Sequence, residues 1–580
     1  MTFGKRTKSG KKDNRMTFLI TIIFLFNLAI IIRLFVLQIK NHNFYVALAS
    51  NQYDIYEKLL PERGKIYLEE SNGELYPLAT NKDYFLVSSE PRLINDKDKE
   101  KIVSQLASLL EIELEELDKK INQNELAYQV LKHQVGKETV EKIKELNFKG
   151  IYYRKEVFRF YPEKNIASHL LGFVGYENDR QVGQYGLEGY FNEELAGTYG
   201  EIKSQRDALG YLIFVDDYQI KEAVPGEDLV LTLDHAIQFK ACEKLAETVK
   251  KHGADGGSVI VMKPQSGAIL AMCSVPDFDL NQYNQVEDLS VFNNPVTFFQ
   301  YEPGSVFKVI TMAAGLDSGK ITPNTTYEDT GEVKIAGFTI KNSDLKAHGR
   351  QTTTNILENS LNTGAIFVMR QAGQEVFKKY VKNFGFGSPT GLEVEAENSG
   401  NIRSLEQKGE IFAATASFGQ GISVTPLQLV TAVNAIANQG KLMRPYLVKE
   451  IQKSDGTVVK TQPKVVRQVV SSRTANLLTG MMVSVVRNGH GKRAGVAGYY
   501  IAGKTGTAQV PKKEGKGYEE NKNIGSFAGF APVDNPRFTM LVKIDNPKDV
   551  IWAESSAAPL FGELAKFMLN YYEIPPSVTE

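Results

Sequence analysis

The chain has 580 residues, which is too long for one ordinary domain and indicates two or three. Hydrophobic residues make up 42% of the chain and charged residues 23%, a composition that supports a large packed core and argues against global disorder. Lysine plus arginine and aspartate plus glutamate both number 68, whereas a nucleic-acid-binding protein usually carries a basic excess. The balance therefore argues against a nucleic-acid partner.

Charge and hydropathy at the N-terminus predict a membrane anchor. Residues 1–15 carry six lysines or arginines against one acid, and residues 16–39 are apolar apart from a few polar side chains and Arg33. At about 1.5 Å per residue the apolar run can cross a bilayer, with Arg33 snorkelling to an interface. The basic flank should stay in the cytoplasm, which places the remainder of the chain outside. A cleaved signal peptide is the alternative, but no small-x-small cleavage site follows the apolar run.

Residues 40–225 predict a mixed outer module without a catalytic constellation. Strand-like runs lie at 64–68 and 84–88. Residues 99–110 place apolar residues at helical spacing, after an Asn or Asp that can cap the helix. We interpret the many glutamates and lysines of this region as solvated faces.

Residues 226–580 predict an α/β (α+β) domain in which helices cover an antiparallel sheet. Residues 228–233 are typical of a strand, and Asp234 can cap a helix that carries apolar residues on one stripe. Two apolar runs, 257–262 and 268–274, are joined by a turn of the kind that forms hairpins. Further elements are predicted as strands at 499–510, 526–532 and 538–544 and a final helix with Leu560, Leu564, Phe567, Met568 and Tyr571 on one face.

The two cysteines, Cys242 and Cys273, have two possible states. They can be buried free thiols, or they can form a disulfide outside the cytosol, and the sequence alone does not establish the geometry. No cluster of cysteines and histidines has the spacing of a metal site, so we expect no metal and no cofactor. The seven histidines are scattered, and His235 and His490 are expected to be structural.

Ser305 and Lys308 form the first of three short motifs that carry chemistry. Pro303-Gly304 precede them, and if this pair opens a helix, Ser305 lies in the first turn with Lys308 one turn later on the same face. The N-terminus of a helix favours the negative charge that develops on a serine oxygen. A lysine held among apolar side chains can lose its proton near neutral pH and act as a base.

Two further motifs follow in order along the chain. Ser360-Leu361-Asn362 supplies a hydroxyl and an amide that can face one cleft, and Lys504-Thr505-Gly506-Thr507 lies on a predicted strand. Gly506 leaves room for a substrate backbone to lie alongside the strand, and the hydroxyls of Thr505 and Thr507 can bind a carboxylate.

Each motif is weak by itself, because other segments match it by chance. Ser9-x-x-Lys12 and Ser343-x-x-Lys346 repeat the first pattern, Ser399-Gly-Asn401 repeats the second, and Lys8-Ser-Gly10 is a relaxed form of the third. The matches near residues 8–12 fall in the predicted cytoplasmic arm. Order and spacing identify the true set, which is the arrangement of serine acyltransferases that act on penicillin-like and D-Ala-D-Ala substrates.

With these residues in view, the chain resembles the class B penicillin-binding proteins over nearly its full length. The supporting stretches in the outer module are Pro61-Glu-Arg-Gly-Lys-Ile66, Arg159-Phe-Tyr-Pro162, Ala167-Ser-His-Leu-Leu-Gly172 and Gly186-Leu-Glu-Gly189 through Leu195-Ala-Gly197. Those in the catalytic region are Leu231-Thr-Leu-Asp234, Gly267–Met272, Gly419-Gln-Gly-Ile-Ser-Val-Thr-Pro-Leu-Gln428 and Gly503-Lys-Thr-Gly-Thr-Ala508. The resemblance implies a penicilloyl-transferase fold, similar to serine β-lactamases, on an extended N-terminal pedestal.

The resemblance also implies a role for each catalytic residue. Ser305 attacks the penultimate D-Ala carbonyl of a stem peptide, and Lys308 takes the serine proton. The backbone amides of Ser305 and Thr507 hold the oxyanion. Ser360 relays a proton to the departing D-Ala with the help of Lys504.

The same resemblance implies that the second and third motifs bind the substrate. Asn362 holds the donor peptide, and Thr505 and Thr507 hold its terminal carboxylate beside Gly506. The implied ligands are peptidoglycan stem peptides and β-lactams.

The resemblance implies four segments: a cytoplasmic basic arm (1–15), a transmembrane anchor (16–39), a dimerisation or pedestal domain (40–225) and a transpeptidase domain (226–580). Residues 67–73 depart from the usual Asp-Arg-Asn-Gly turn of the pedestal, but they touch no predicted catalytic residue. No glycosyltransferase signature precedes residue 225. A class B enzyme therefore needs a multi-pass membrane glycan polymerase as partner, within division or elongation machinery. Residues 421–426 and the short C-terminus favour septal division, with elongation as the alternative.

Three other functions share part of this pattern. A membrane-anchored β-lactamase uses the same motifs but needs a deacylating base and no pedestal. A β-lactam-binding sensor keeps the serine and the lysine but needs a multi-pass signalling region. A catalytically dead scaffold would not require all the motif residues to be intact. The outer module, the single apolar run and the complete motifs therefore favour a transpeptidase on the outer face of the cytoplasmic membrane.

Overall fold

The computed structural model describes residues 14–41, 54–70, 73–177, 180–206, 212–213, 219–512 and 517–577. The described residues belong to two compact units. One is drawn from residues 1–61 and 198–224, and the other from residues 62–197 and 225–580.

Strands occur throughout the described ranges. Those before residue 225 are β1 (Asp54–Leu59), β2 (Ile66–Glu69), β3 (Leu75–Ser89), β4 (Gln129–Val135), β5 (Ile151–Phe160), β6 (Phe173–Glu177), β7 (Arg180–Gln184), β8 (Gly200–Arg206), β9 (Leu212–Ile213) and β10 (Gln219–Lys221). Those after it are β11 (Asp228–Leu231), β12 (Gly256–Met262), β13 (Ile269–Val275), β14 (Thr326–Asp329), β15 (Glu332–Ile335), β16 (Phe338–Lys341), β17 (Gly349–Thr352), β18 (Lys441–Met443), β19 (Val448–Gln452), β20 (Val458–Lys460), β21 (Val465–Gln468), β22 (Ala502–Pro511), β23 (Tyr518–Ala531) and β24 (Phe538–Asp545).

Helices are concentrated in the middle of the catalytic region. Those before residue 225 are α1 (Asn14–Phe35), α2 (Asp96–Leu110), α3 (Leu114–Ile121), α4 (Lys137–Glu145), α5 (Ser168–Leu171), α6 (Gly186–Tyr190) and α7 (Asn192–Ala196). Those after it are α8 (His235–Lys251), α9 (Lys308–Asp317), α10 (Thr353–Glu358), α11 (Asn362–Ala372), α12 (Gln374–Asn383), α13 (Glu410–Ser417), α14 (Pro426–Ala437), α15 (Ser472–Asn488) and α16 (Ala557–Tyr571).

Helix α1 belongs to the first unit. It continues as a π-helical turn, Val36–Lys40, and the segment Phe18–Lys40 has a mean hydropathy of 2.7 with none of that apolar stretch buried. Of the described helices, it is the one that is long and apolar enough to cross a membrane. The predicted anchor is therefore a continuous helix, whereas residues 1–13 of the basic arm lie outside the described residues. The same unit contains an antiparallel sheet in which β8 pairs with β1, β9 and β10.

A mixed sheet in the second unit joins segments from both sides of residue 225. Its order is β20-β19-β11-β2-β3-β4, with β5 also paired to β3, and β11 runs parallel to β2. The strand predicted at 64–68 corresponds to β2, and the one predicted at 84–88 lies within the longer β3. The helix predicted at 99–110 is α2, although Asn95 at its N-cap position makes no side-chain cap bond.

Arg63, Arg159 and Glu188 form a buried charge cluster beside this sheet, here called the Glu188 cluster. Arg63 Nε donates to Glu188 Oε2 at 2.8 Å, and Arg159 Nε donates to Glu188 Oε1 at 2.6 Å. Arg159 also donates to the Gly64 carbonyl and to Asn81 Oδ1. Burial alone would raise the pKa of Glu188, but the two guanidiniums outweigh it and hold that pKa below its ordinary value.

The centre of the catalytic region is an antiparallel sheet in the order β13-β12-β24-β23-β22. Every residue of β12 is buried, because alternate side chains enter apolar clusters on opposite faces of the sheet. Val259 and Val261 pack with α8 and α16, whereas Ile260 and Met262 pack with the cluster that contains α14. The predicted antiparallel sheet with helices on its faces is confirmed.

Helix α8 is held both at its start and on its buried side. The Asp234 carboxylate accepts a hydrogen bond from the Ile237 N–H at 3.1 Å, as the sequence predicts for an N-cap. Cys242 of α8 and Cys273 of β13 are joined by a disulfide, with Cα atoms 5.3 Å apart. Of the two states considered for the cysteines, the structure contains the paired one, and it fastens the helix to the sheet.

Candidate active site

The first motif lies at the start of a helix that is buried on all sides. Gly304–Phe307 form a 3₁₀ turn that leads into α9, and each residue from Lys308 to Leu316 is buried. Gly304 has a φ of +53°, and its N–H donates to the Gly419 carbonyl at 3.1 Å. The predicted helical start lies here, but its first turn is 3₁₀ rather than α-helical.

Lys308 joins the first motif to the second. Its side chain is 1% exposed, and Nζ donates to Asn362 Oδ1 at 2.8 Å, to Ser360 Oγ at 3.3 Å and to the Ser360 carbonyl. Ser360 lies in the turn between α10 and α11 with a φ of +55°, and Asn362 is the first residue of α11. Three oxygen acceptors from one turn therefore hold the ammonium nitrogen.

Lys504 brings the third motif to the same hydroxyl. It lies on β22, is fully buried, and donates from Nζ to Ser360 Oγ at 3.1 Å. It also donates to the carbonyl oxygen of Thr505 at 2.9 Å and to Thr505 Oγ1 at 3.2 Å. The hydroxyl of Ser360 thus lies within hydrogen-bond distance of two lysine nitrogens, one from α9 and one from β22.

The two lysines have strongly altered acidity. Burial lowers the pKa of Lys308 well below its ordinary value, and the neighbouring charge of Lys504 lowers it further. Burial alone lowers the pKa of Lys504 to about 7. In the described part of the chain both nitrogens are bonded to neutral oxygens and neither to a carboxylate. Either lysine can therefore be neutral near physiological pH and accept a proton.

Ser305 is half-buried in the 3₁₀ turn, three residues before Lys308. Its hydroxyl makes no hydrogen bond with any residue that the structure describes. The predicted closeness of Ser305 and Lys308 along one turn is present, but a hydrogen bond between them is not. Catalytic hydrogen bonds often form only when substrate is bound, so this geometry is compatible with a nucleophile and its base.

Gly506 allows β22 to lie close to the turn that carries the serine. A Cβ atom at this position would come within 2.9 Å of both the Pro303 carbonyl oxygen and Val306 Cγ2. The sequence predicts that this glycine leaves room for a substrate backbone, but close contacts within the protein already require it. Thr507 Oγ1, further along the strand, accepts a hydrogen bond from the Ala553 N–H at 3.1 Å.

Glu302 is a residue of the site to which the sequence analysis assigns no role. Its carboxylate accepts hydrogen bonds from the Gly421 N–H at 2.9 Å and from the Tyr518 hydroxyl at 3.1 Å. Burial raises its pKa, although both hydrogen bonds act in the opposite direction. The side chain thereby ties two flanking segments to the start of the nucleophile turn. Its position immediately before Pro303 is the only signal in the sequence, since its partners are more than 100 residues away.

The chance matches to the motifs lie elsewhere. Ser343 and Lys346 are exposed and belong to no helix. Asn401 forms an isolated bridge with Ser423, and the Ser399 carbonyl is a hydrogen-bond acceptor for an α14 side chain. None of these side chains contacts the lysine pair, in agreement with the choice made from order and spacing.

Comparison with known families covers most of the chain. The penicillin-binding protein transpeptidase domain matches residues 257–566, and the penicillin-binding protein dimerisation domain matches residues 58–231. The chain belongs to the penicillin-binding protein transpeptidase family. The resemblance inferred from the three motifs is therefore confirmed, and the protein is a serine-type transpeptidase.

Individual penicillin-binding proteins and related enzymes are similar over nearly the whole chain. Stage V sporulation protein D of Bacillus subtilis is 37% identical over 527 residues, which cover 89% of this chain and 79% of that protein. Peptidoglycan D,D-transpeptidase FtsI of Buchnera aphidicola is 30% identical over 571 residues, or 97% and 96% of the two chains. The crystal structure of penicillin-binding protein 3 from Mycobacterium tuberculosis with aztreonam superposes with a TM-score of 0.69, at 25% identity over 90% of this chain and 98% of that one.

Proposed function

We propose that the protein is a peptidoglycan D,D-transpeptidase that cross-links stem peptides through an acyl-enzyme on Ser305. The observation that carries this proposal is the position of Ser360 Oγ, 3.3 Å from Lys308 Nζ and 3.1 Å from Lys504 Nζ, in a chain of this family. A relative with 30% identity over 97% of this chain bears the name of that activity.

Acylation begins when neutral Lys308 accepts the hydroxyl proton of Ser305. The serine oxygen attacks the penultimate D-Ala carbonyl, and the backbone amides of Ser305 and Thr507 stabilise the negative charge on the tetrahedral intermediate. Its C–N bond then breaks as Ser360 passes a proton to the leaving amine, with Lys504 as the neighbouring proton donor. D-Ala leaves, and the stem peptide remains as an ester on Ser305.

Three other motif residues hold the donor peptide during this step. Asn362 holds its backbone, and the hydroxyls of Thr505 and Thr507 hold its terminal carboxylate. In the second half-reaction an amine of a neighbouring strand attacks the ester, an amide bond replaces it, and the amine proton returns to the serine oxygen. β-Lactams acylate the same serine, and the ring-opened ester cannot be displaced in this way.

The nucleophile is tested by covalent labelling with a fluorescent penicillin. We expect Ser305→Ala to abolish labelling, because the variant lacks the nucleophilic hydroxyl, and Ser360, which both lysines hold, serves as the proton relay in this proposal. Ser343→Ala, at the exposed chance match, is the matched control and should label like the parent. Labelling that persists in Ser305→Ala, or that is lost in Ser343→Ala, would contradict the assignment.

A second measurement separates the transpeptidase from a β-lactamase. Incubation with a D-Ala-D-Ala-terminated peptide and an amine acceptor should release one D-Ala for each amide formed. The penicilloyl-enzyme should persist after free penicillin is removed. Rapid release of hydrolysed penicillin without amide formation would instead favour the β-lactamase.

We also propose that the N-terminus lies in the cytoplasm and the catalytic domain on the outer face of the membrane. The basic residues before the apolar helix support this orientation, since such residues stay on the cytoplasmic side. A reporter that is active only outside the cytoplasm should be active when fused after Glu580. A silent reporter there, together with an active cytoplasmic one, would reverse the orientation.

For the biological role we propose septal wall synthesis with a multi-pass membrane glycan polymerase as partner, contacted through the anchor and the pedestal. A wall formed during sporulation is the second candidate, because one relative with 37% identity is named for that process. Depletion followed by microscopy discriminates these roles. Filaments with blocked septa support division, normal growth with defective spores supports sporulation, and rounded cells would favour elongation instead.

A further inference from the structure

Asp329, at the end of β14, is a buried carboxylate close to the second motif. It is 1% exposed, and no side-chain nitrogen of a described Lys, Arg or His lies within 4.0 Å of it. Its Oδ1 accepts hydrogen bonds from the Gly331 N–H, Asn342 Nδ2 and Thr363 Oγ1, the last at 2.6 Å. Its Oδ2 accepts from Asn342 Nδ2 and from the His348 N–H, both at 2.9 Å. A buried charge without a counter-ion is costly, so this complete set of donors is needed to retain it.

Asn342 and Thr363 transmit this arrangement to the start of α11. Asn342 directs Nδ2 to the carboxylate and Oδ1 to the Thr363 N–H at 3.2 Å, which is the orientation that satisfies both partners. That N–H belongs to the first turn of α11, where backbone donors lack partners within the helix. The residue at the N-cap, Leu361, has no side chain that could accept this bond. Asn342 therefore performs the capping from outside the helix, and Asp329 places a negative charge near its positive end.

The neighbouring residues Lys341 and Asn342 bind the first two residues of α11, Asn362 and Thr363. The Lys341 carbonyl accepts a hydrogen bond from Asn362 Nδ2 at 2.9 Å, while Asn342 holds Thr363. Asn362 Oδ1 is in turn the acceptor for Lys308 Nζ. Two sets of hydrogen bonds, joined by the peptide links 341–342 and 362–363, thus connect the Asp329 carboxylate with the base.

We propose that Asp329 is a positioning residue that, through Asn342 and Thr363, aligns Ser360 and Asn362 on Lys308. The inference rests on the proposed acyl transfer at Ser305 and adds a residue outside the three motifs to that machinery. Displacement of a catalytic group by about 1 Å can reduce a reaction rate by about 100-fold, so loss of this support affects acylation directly.

Asp329→Asn tests the proposal without a change of volume. The amide of the new side chain has two rotamers. In one its NH₂ group faces the Gly331 N–H, and in the other it faces the His348 N–H, so two donors oppose each other in either case. We expect the second-order rate of acylation by a fluorescent penicillin to fall by about 10- to 100-fold in the detergent-solubilised full-length protein. The acylation rates are compared at a temperature below the thermal unfolding midpoint of every variant.

Asp317→Asn is the matched control. The Asp317 carboxylate also accepts at the start of a helix, from the Ser471 N–H at 2.9 Å and from Thr474 Oγ1 at 2.8 Å, but it does not contact the motif residues. We expect it to lower the unfolding midpoint as Asp329→Asn does and to leave acylation unchanged.

Two variants of the intermediate residue complete the test. Thr363→Val removes the hydroxyl that Asp329 binds and should slow acylation, whereas Thr363→Ser retains the hydroxyl and should restore the parent rate. The proposal is overturned if Asp329→Asn acylates at the parent rate, or if Asp317→Asn slows acylation equally. Failure of the parent itself to be acylated would instead contradict the proposed function.

Discussion

The lysine pair of the active site and the Glu188 cluster of the dimerisation domain both contain buried charged groups, but the charge has opposite fates in the two places. Glu188 is bonded to two guanidiniums, and its pKa lies below the ordinary value, so it remains ionised. Lys308 and Lys504 are buried to the same degree with neutral acceptors alone, and the pKa of each is lowered. Burial beside counter-ions keeps Glu188 charged, whereas burial among neutral acceptors favours the uncharged form of the two lysines.

The difference separates structural from reactive polar groups in one fold. The paired carboxylate of Glu188 joins segments that are distant in sequence, and it takes no part in the proposed reaction. The unpaired lysines are costly to bury, but that cost lowers the pKa of each, so that they can exchange protons near neutral pH. Substitutions that change the charge compensation in each region should therefore have effects of different kinds.

The largest effect is expected when the lysine is prevented from losing its proton. Lys308→Arg retains the positive charge, but a guanidinium is not deprotonated in proteins. We expect the second-order rate of acylation by a fluorescent penicillin to fall by about 10²- to 10⁴-fold. Lys320→Arg, at an exposed position shortly after α9, should acylate like the parent. Parent-like acylation by folded Lys308→Arg would show that this proton transfer is not used.

Removal of the paired charge should affect stability instead of chemistry. Glu188→Ala leaves two buried guanidiniums without their counter-ion, and we expect the free energy of unfolding to fall by about 3–5 kcal/mol. Denaturant titration of the detergent-solubilised protein measures this change. The matched control is Glu193→Ala, which removes an exposed glutamate from α7. A loss no greater than that of the control would mean that the cluster does not stabilise the fold.

The uncompensated lysine should make stability rise with pH. Lys504 binds a proton in the unfolded chain up to its ordinary pKa of 10.5, whereas in the folded protein it releases the proton near 7. Between these values the unfolded state binds more protons, so the free energy of unfolding increases by about 1.4 kcal/mol per pH unit. Lys504→Met should lack this increment when both proteins are unfolded at pH 7 and pH 9. Identical pH dependence in the two proteins would exclude the lowered pKa.

The Glu188 cluster should respond at the acidic end of the pH scale, where stability also rises with pH. The folded pKa of Glu188 lies below its ordinary value, so its stabilising contribution is present above about pH 4.5 and is lost as the pH falls through the folded pKa. We expect the difference in unfolding midpoint between the parent and Glu188→Gln to shrink on acidification. A difference that stays constant from pH 7 to pH 3 would argue that the contact does not depend on charge.

The smallest effect is expected in the emission of Trp552, the single tryptophan of the chain. It is 49% exposed, and the next residue, Ala553, donates to Thr507 Oγ1 in the third motif. Acylation of Ser305 should therefore change the emission intensity, because the surroundings of Thr507 change. Ser305→Ala should show no change with the same penicillin. Folded Glu188→Ala should show the same change in emission as the parent, because Trp552 lies outside the dimerisation domain that contains Glu188.

Local features of the sequence are sufficient to predict the catalytic motifs, the apolar anchor and the main strands of the catalytic sheet. The three motifs are short, and their order and spacing together distinguish them from the chance match at Ser343. The 3.6-residue period identifies α2, which buries one face, and a continuous apolar run identifies β12, which buries both faces. The capping role of Asp234 is also a local effect, with its partner three residues away.

Only the tertiary structure decided how these parts meet. Ser360 receives hydrogen bonds from lysines 52 and 144 residues away, and Arg63 lies 125 residues from Glu188. The support of α11 by Asp329 and the pairing of Cys242 with Cys273 depend likewise on segments that packing brings together. Propensity and periodicity act between near neighbours along the chain. Charge compensation depends instead on which segments are packed side by side. The sequence therefore identified Lys308 as a candidate base, but only the packing decided that Glu188 meets two guanidiniums and that the two lysines meet neutral oxygens in the described residues.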